Sequence, residues 1–217
     1  EIISSDSMQF YKKLDIGTAK IKPSEMQGIK HHLIDILEPD DEFSVALYQK
    51  IVRDKIAELE ARDVTPILVG GSGLYISSVL YDYRFLGDKR DEEIESQYNE
   101  YSTKELAELL KEISPSVYEK TDIKNRRRLL RALAKDEDEV DFSAEDLFYD
   151  NAIVIGLDME REALYQRIDE RVDQMIDSGL VEEARVLYRD YYESQAAMAI
   201  GYKELFQFVI APSSWLR

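Results

Sequence analysis

With 217 residues, 44% of them apolar, the chain can bury a substantial core and is not composed like a disordered segment. It contains no apolar run long enough to span a bilayer and no basic-then-apolar leader. It also lacks cysteine, which excludes disulfides and thiolate metal sites. The formal net charge of −17 argues against nonspecific nucleic-acid binding, although a local basic stripe can act within an acidic whole.

The chain opens with an apolar, β-type run, Glu1-Ile2-Ile3-Ser4, that delivers Asp6 and Ser7 at its end, followed by Gln9, Tyr11, Asp15 and a Gly17-Thr18-Ala19-Lys20 turn. Ligands of open α/β sheets bind at the carboxyl ends of strands, so this polar cluster is a candidate site. His31 to Leu37 reads as a second short strand closed by Glu38-Pro39, and its two adjacent histidines cannot make a zinc site by themselves. Ser44 is placed as an N-cap. Val45, Tyr48, Ile51, Val52, Ile56 and Leu59 behind it recur at helical spacing to about Arg62. Thr65 to Val69 has the composition of a buried strand. It runs into Gly70-Gly71-Ser72-Gly73 and a helix from Leu74 to Leu80. A strand, glycine turn and helix in succession serve either to present backbone N–H groups to an anion or to pack helix tightly on strand.

From about Leu86 to Phe148 the chain turns charged and helical. Ser102 and Glu105 form a capping box, and Lys124 to Leu133 forms a helix. Leu129, Leu130 and Leu133 give that helix an apolar face, and Lys124, Arg127, Arg128 and Arg131 share a neighbouring one. The basic face reads equally as solvated surface or as a phosphate-binding stripe. Lys135 to Asp146 is acidic and loop-like. Asn151 to Leu157 returns to strand, and a helix after Asp158 carries Leu164, Ile168, Val172 and Met175/Ile176 in one stripe, expected to be core. Gly179 ends that helix and Leu180 to Tyr188 begins another. Strands alternating with helices, interrupted by a helical insertion, predict an α/β parallel-sheet core (residues 1–85 and 149–217) with a helical subdomain at 86–148.

The chain contains no Gly-x-x-x-x-Gly-Lys-Ser/Thr run and no assignable Ser-His-Asp or Cys-His set. A carboxylate facing a poor nucleophile, with cations for an anionic leaving group, suits transfer of a group away from a phosphate or diphosphate.

Taken in order, several blocks resemble the tRNA dimethylallyltransferase (tRNA isopentenyltransferase) family: Glu1–Gln9 with Tyr11, Asp15–Lys20, His32–Ile36, Pro66–Tyr75, Arg128–Leu133, Leu164–Met175 with Gly179–Glu183, and Ala199–Glu204. The resemblance implies a P-loop NTPase-like core with a tRNA-facing helical insertion. It also implies a cytoplasmic enzyme that moves a dimethylallyl group from dimethylallyl diphosphate to the exocyclic amine of an adenine beside the tRNA anticodon, with magnesium as cofactor. By the same resemblance Asp6 is the general base and Ser72 lies near the bridging oxygen of the diphosphate. Asp6, Ser7, Met8 and Gln9 grip the extruded adenine. The Arg127-Arg128-Leu129-Leu130-Arg131 and Met198-Ala199-Ile200-Gly201-Tyr202-Lys203 segments map onto tRNA-contacting stretches, and Lys20, Gly70 and Gly71 onto weaker diphosphate contacts. The family's first strand and its P-loop, with a metal ligand, are expected upstream of Glu1. The basic tail before Ser213-Ser214-Trp215-Leu216-Arg217 is reduced. A monomer is expected. An adenylate isopentenyltransferase and a catalytically dead RNA-binding relative are the competing expectations; the arginine-bearing insertion favours tRNA over a free nucleotide.

Overall fold

The computed structural model describes residues 1–83, 96–133 and 146–210. The chain divides into two compact units, one made of Glu1–Asp82 and Asp146–Arg217, the other of Tyr83–Glu145.

In the first unit, β1 (Ile2–Ser4) is the middle of a three-stranded parallel sheet, with β2 (His31–His32) on one side and β3 (Ile67–Val69) on the other. Ile3 pairs with both His32 and Leu68, and Ser4 pairs with Val69, so the carboxyl end of β1 opens next to the turn after β3. Helix α1 (Val45–Glu60) is capped by Ser44, whose side chain accepts the Leu47 N–H, and buries Tyr48, Val52, Ile56 and Leu59. Helix α2 (Gly73–Leu80) follows β3 and buries Tyr75 and Val79 against the same core as Ile3 and Phe10. The rings of Phe10, Phe43, Tyr48 and Tyr75 cluster there, with Tyr48 and Tyr75 centroids 4.8 Å apart in edge-to-face geometry.

Three strand-level expectations are corrected. The second strand stops after His32 because Leu33 and Asp35 take positive φ (61° and 55°), a backbone that cannot continue a pleated ladder. β3 is not a buried strand. Ile67 and Val69 are each 51% exposed, since within the described residues β3 has one neighbour only. Asn151 to Leu157 is not in a sheet at all, and Ile153 and Leu157 are 87% and 97% exposed. Its β-branched composition sets a preference for extended backbone, and a strand needs a partner to satisfy its N–H and C=O groups.

Helix α6 (Arg161–Asp177) is also corrected. It forms as read, but none of its residues is buried, and its apolar stripe is core only where Met175 meets the second cluster. After Ser178, Gly179 takes φ 104°, the left-handed turn that lets α7 (Leu180–Tyr191) start in a new direction. α7 and α8 (Tyr202–Ile210), joined through a 3₁₀ turn at Ala196–Met198, pack Leu180, Ala184, Leu187, Tyr202 and Phe206 around Tyr11 and Leu14.

The helical unit contains α3 (Thr103–Ile113), α4 (Pro115–Lys120) and α5 (Arg126–Leu133). The Ser102/Glu105 capping box is present, and Leu106, Leu110, Leu129 and Leu130 form the unit's core. The acidic stretch at Lys135 and the closing Trp215 segment lie outside the described residues. Among the described residues no helix is long and apolar enough to cross a membrane.

Burial pushes the hydroxyls of Tyr11 and Tyr48 up to about 12. Their ordinary value in the unfolded chain is about 10, so the folded state binds these protons more tightly. This contribution is complete below pH ~10 and is lost as the pH rises through about 12. Alkaline titration should therefore give a cooperative loss of ellipticity in that window, coinciding with a step in tyrosinate absorbance rather than following it.

Candidate active site at the end of the central strand

β1 ends at Ser4, which is buried like the following Ser5, and the chain then turns sharply. Ser5 Oγ lies 2.6 Å from the Tyr48 hydroxyl, which also donates to the Ser4 carbonyl at 3.3 Å, so α1 holds the strand end from beneath. The Asp6 carboxylate makes a local turn: Oδ1 accepts the Met8 N–H at 2.9 Å and the Gln9 N–H at 3.4 Å. That fixes the side chain through one oxygen. Asp6, Ser7 and Gln9 are all half-buried.

The turn after β3 closes the other side. Ser5 N–H donates to the Val69 carbonyl at 2.8 Å, and Gly70 is forced by this approach, because a Cβ there would lie 2.5 Å from the Ser5 carbonyl carbon. At Gly70 the close-packing reading of the glycine turn is therefore sufficient, whereas a Cβ at Gly71 would meet nothing within 4 Å. Ser72 stands at the N-terminus of α2. Its Oγ accepts the Ser7 N–H at 3.3 Å and lies 3.5 Å from the Ser7 hydroxyl. The structure thus brings Asp6, Ser7, Gln9 and Ser72 together.

Lys20 is corrected from phosphate contact to structural staple. Its side chain is 5% exposed, and its ammonium donates to the Tyr11 carbonyl at 2.8 Å, to Asp15 at 2.7 Å and to Asp35 at 2.6 Å. An ammonium has three N–H donors, and all three are engaged. Asp35, at its left-handed φ, is the partner that sequence reading missed.

Two more residues, to which the sequence assigns no role of their own, shape the site. The Gln9 side-chain amide donates to the Thr18 carbonyl at 3.1 Å, and Thr18 in turn donates its hydroxyl to the Leu14 carbonyl at 2.5 Å. Glu183, on α7, receives the N–H groups of Asp15, Ile16 and Gly17 at 2.9–3.0 Å and the Tyr202 hydroxyl at 2.6 Å.

The segments mapped onto tRNA contact separate by burial. Met198 and Ile200 are 51% and 85% exposed and Lys203 is exposed, but Ala199 and Tyr202 are core side chains, as are Leu129 and Leu130 in the helical unit. Those four are corrected from surface contacts to packing residues. Arg127 and Arg128 are exposed, with Arg128 3.7 Å from Asp122, while the Arg131 side chain lies outside the described residues. Arg126 is used internally, on the Tyr98 and Tyr101 carbonyls.

A family model described as IPP transferase matches residues 9–214. The chain belongs to the IPP transferase family. It is 49% identical to the tRNA dimethylallyltransferase of Bacillus licheniformis over 218 residues, covering 95% of this chain and 69% of that protein. It is 46% identical to the enzyme of the same name from Geobacillus kaustophilus, over 96% of this chain and 70% of that protein. Its fold matches the full-length tRNA isopentenylpyrophosphate transferase of Bacillus halodurans with TM-score 0.68 at 40% identity, covering 98% of this chain and 69% of that one. A eukaryotic dimethylallyltransferase acting on tRNA matches with TM-score 0.81 at 26% identity, over 96% and 56% of the two chains. The P-loop NTPase-like fold of these IPP transferases is the α/β class to which the parallel sheet described above belongs.

Two substitutions test how the site is held. Gly70→Ala forces its new methyl into the Ser5 backbone, which cannot yield as a flexible side chain can, and should cost about 1–3 kcal/mol in denaturant unfolding. Lys20→Met keeps the stem but leaves the Tyr11 carbonyl unpaired, and should cost about 2 kcal/mol by the same measurement.

Proposed function

We propose that Asp6 is the general base, and Ser7, Gln9 and Ser72 its neighbours, in the transfer of a dimethylallyl group to tRNA. The chain is a transferase of the tRNA dimethylallyltransferase type, and its substrate is tRNA. The donor in this reading is dimethylallyl diphosphate, and the acceptor is the exocyclic amine of an adenine next to the anticodon. The amine lone pair forms the new N–C bond to the dimethylallyl C1. The C1–O bond breaks, diphosphate leaves with the electron pair, and the amine proton passes to Asp6. That amine is a weak nucleophile because its lone pair is delocalised into the ring, so a positioned base and a good leaving group are both required.

The observation that carries this reading is the asymmetry of the Asp6 carboxylate. Oδ1 is spent on two backbone N–H groups, while Oδ2 has no protein partner among the described residues. A carboxylate anchored through one oxygen and open at the other can accept a proton at a defined place. The Ser72 hydroxyl, at the N-terminus of α2, is suited to the departing oxygen, since helix N-termini favour negative charge. An adenine has to leave its stack to reach such a strand end. Magnesium belongs to the proposal in the form that ion ordinarily takes, held by few protein oxygens with substrate phosphate and water completing its shell. The described residues contain no cluster of three His, Asp or Glu side chains that could hold the ion without substrate. In this proposal the enzyme works in the cytoplasm, as a monomer.

Asp6→Asn keeps the shape and the one oxygen that accepts both the Met8 and Gln9 N–H groups, but puts an amide NH2, which cannot take a proton, in place of the open oxygen. Transfer of labelled dimethylallyl to tRNA should fall by at least ~10²-fold, with tRNA affinity changed only a few-fold. Near-normal transfer would remove Asp6 from this role. In the helical unit, Arg127→Ala and Arg128→Ala should each weaken tRNA binding and reduce the slope of log K against log salt by about 1, while dimethylallyl diphosphate binding is unaffected.

A further inference from the structure

The loop from Asp15 to Lys20 contains no helix or strand, yet it carries the carbonyl that orients Gln9. Within the loop the Ala19 N–H donates to the Ile16 carbonyl and the Lys20 N–H to the Asp15 carbonyl, while the donors of Asp15, Ile16 and Gly17 are satisfied in succession by one distant carboxylate. Glu183 Oε2 accepts from Asp15 and Ile16, and Oε1 from Ile16 and Gly17, all at 2.9–3.0 Å. The same Oε1 takes the hydroxyl of Tyr202, a fully buried ring, at 2.6 Å. The loop lies so close to that ring that a Cβ at Gly17 would be 2.6 Å from Tyr202 Cζ and Oη. Glu183 stands in the first turn of α7, where a carboxylate is favoured by the helix dipole, and it is half-buried.

The consequence runs from the loop to the base. A carbonyl oxygen accepts only, so Thr18 O dictates which way the Gln9 amide faces and occupies one of its N–H groups. Among the described residues the Gln9 carbonyl oxygen and its second N–H have no partner and are left for a ligand. An amide offering an acceptor and a donor side by side complements the N6–H and ring-nitrogen edge of adenine, and mismatches guanine, which presents O6 where adenine has N6–H. A shift of the loop by an ångström or more would withdraw Thr18 O and free the amide to flip.

We propose that Glu183 is a positioning residue for adenine selection. By clamping the Asp15–Gly17 amides to α7 and to Tyr202, it holds Thr18 O where that carbonyl fixes the orientation of the Gln9 amide. Tyr202 belongs to the stretch whose exposed members, Met198, Ile200 and Lys203, are offered to RNA, so the clamp ties that surface to the base-reading loop. The inference rests on the reading of the strand end as the adenine side of the site.

Glu183→Gln tests it in the full-length enzyme, because an amide turns an N–H toward backbone donors that need an acceptor. Three quantities are measured: hydrogen exchange of residues 15–19, the melting temperature, and the affinity for two anticodon stem-loops that differ only in adenine or guanine beside the anticodon. The expected result is exchange at 15–19 faster by at least ~10-fold and adenine-over-guanine preference reduced by at least ~5-fold, with guanine-loop affinity and cooperative melting retained. Glu183→Asp, which keeps the acceptor, should recover part of the preference, and Tyr202→Phe should leave most of it. If Glu183→Gln does not fold, Glu183→Asp carries the comparison, with intermediate losses in exchange protection and preference expected together. Faster exchange with an unchanged preference would reduce Glu183 to a structural tie, and unchanged exchange would remove the clamp altogether. Should Asp6→Asn prove active while the preference still depends on Glu183, the assignment of the base fails and the positioning role stands.

Discussion

The Asp15–Lys20 loop satisfies only part of its own backbone, and the strand-end site of this protein depends on how the rest is satisfied by others. Glu183 takes three of its N–H groups. Lys20 answers the Tyr11 carbonyl while neutralising Asp15 and Asp35. Thr18 binds back to Leu14 and offers its own carbonyl to Gln9. Each bond alone is of modest net value, but a buried polar group left unpaired is costly. The loop is therefore held by mutual obligation among residues from three separate parts of the chain.

The catalytic end is built on that hold and on the central position of β1. Pairing to both β2 and β3 fixes the direction in which Ser5 leaves the sheet, and Gly70 permits the β3 turn to come within contact of it. Ser7 and Ser72, 65 positions apart in the chain, meet next to Asp6 because two parallel strands end side by side. This is the usual geometry of ligand sites in open α/β sheets, and here it places a carboxylate close to a helix N-terminus. The proposed chemistry rests on that placement: a carboxylate to take the proton of a weak amine on one side, a helix N-terminus to stabilise a departing anion on the other.

Much of this was legible in the residues. α1 was visible from its apolar spacing and Ser44, α3 from its capping box, and the Gly179 break from a glycine after a finished periodic run. The polar strand end at Asp6 was visible as a candidate and became specific through the order of the family blocks. Lys20 was misjudged because a lysine beside a glycine turn looks the same whether its ammonium meets a phosphate or two carboxylates. The stripe of α6 and the apolar run at Ile153 to Leu157 were misjudged for a related reason. Periodicity records which face of an element is apolar, not what lies against it.

Local sequence by itself determined the helices, the turns and the residue types available at the strand end, because caps, glycines and periodic apolar positions act over one or two turns of chain. Only the tertiary structure decided which of those polar groups remain free for chemistry. Hydrogen-bond partners such as Glu183 for Gly17, or Asp35 for Lys20, are set by which backbone groups folding leaves unpaired, and no local pattern encodes that.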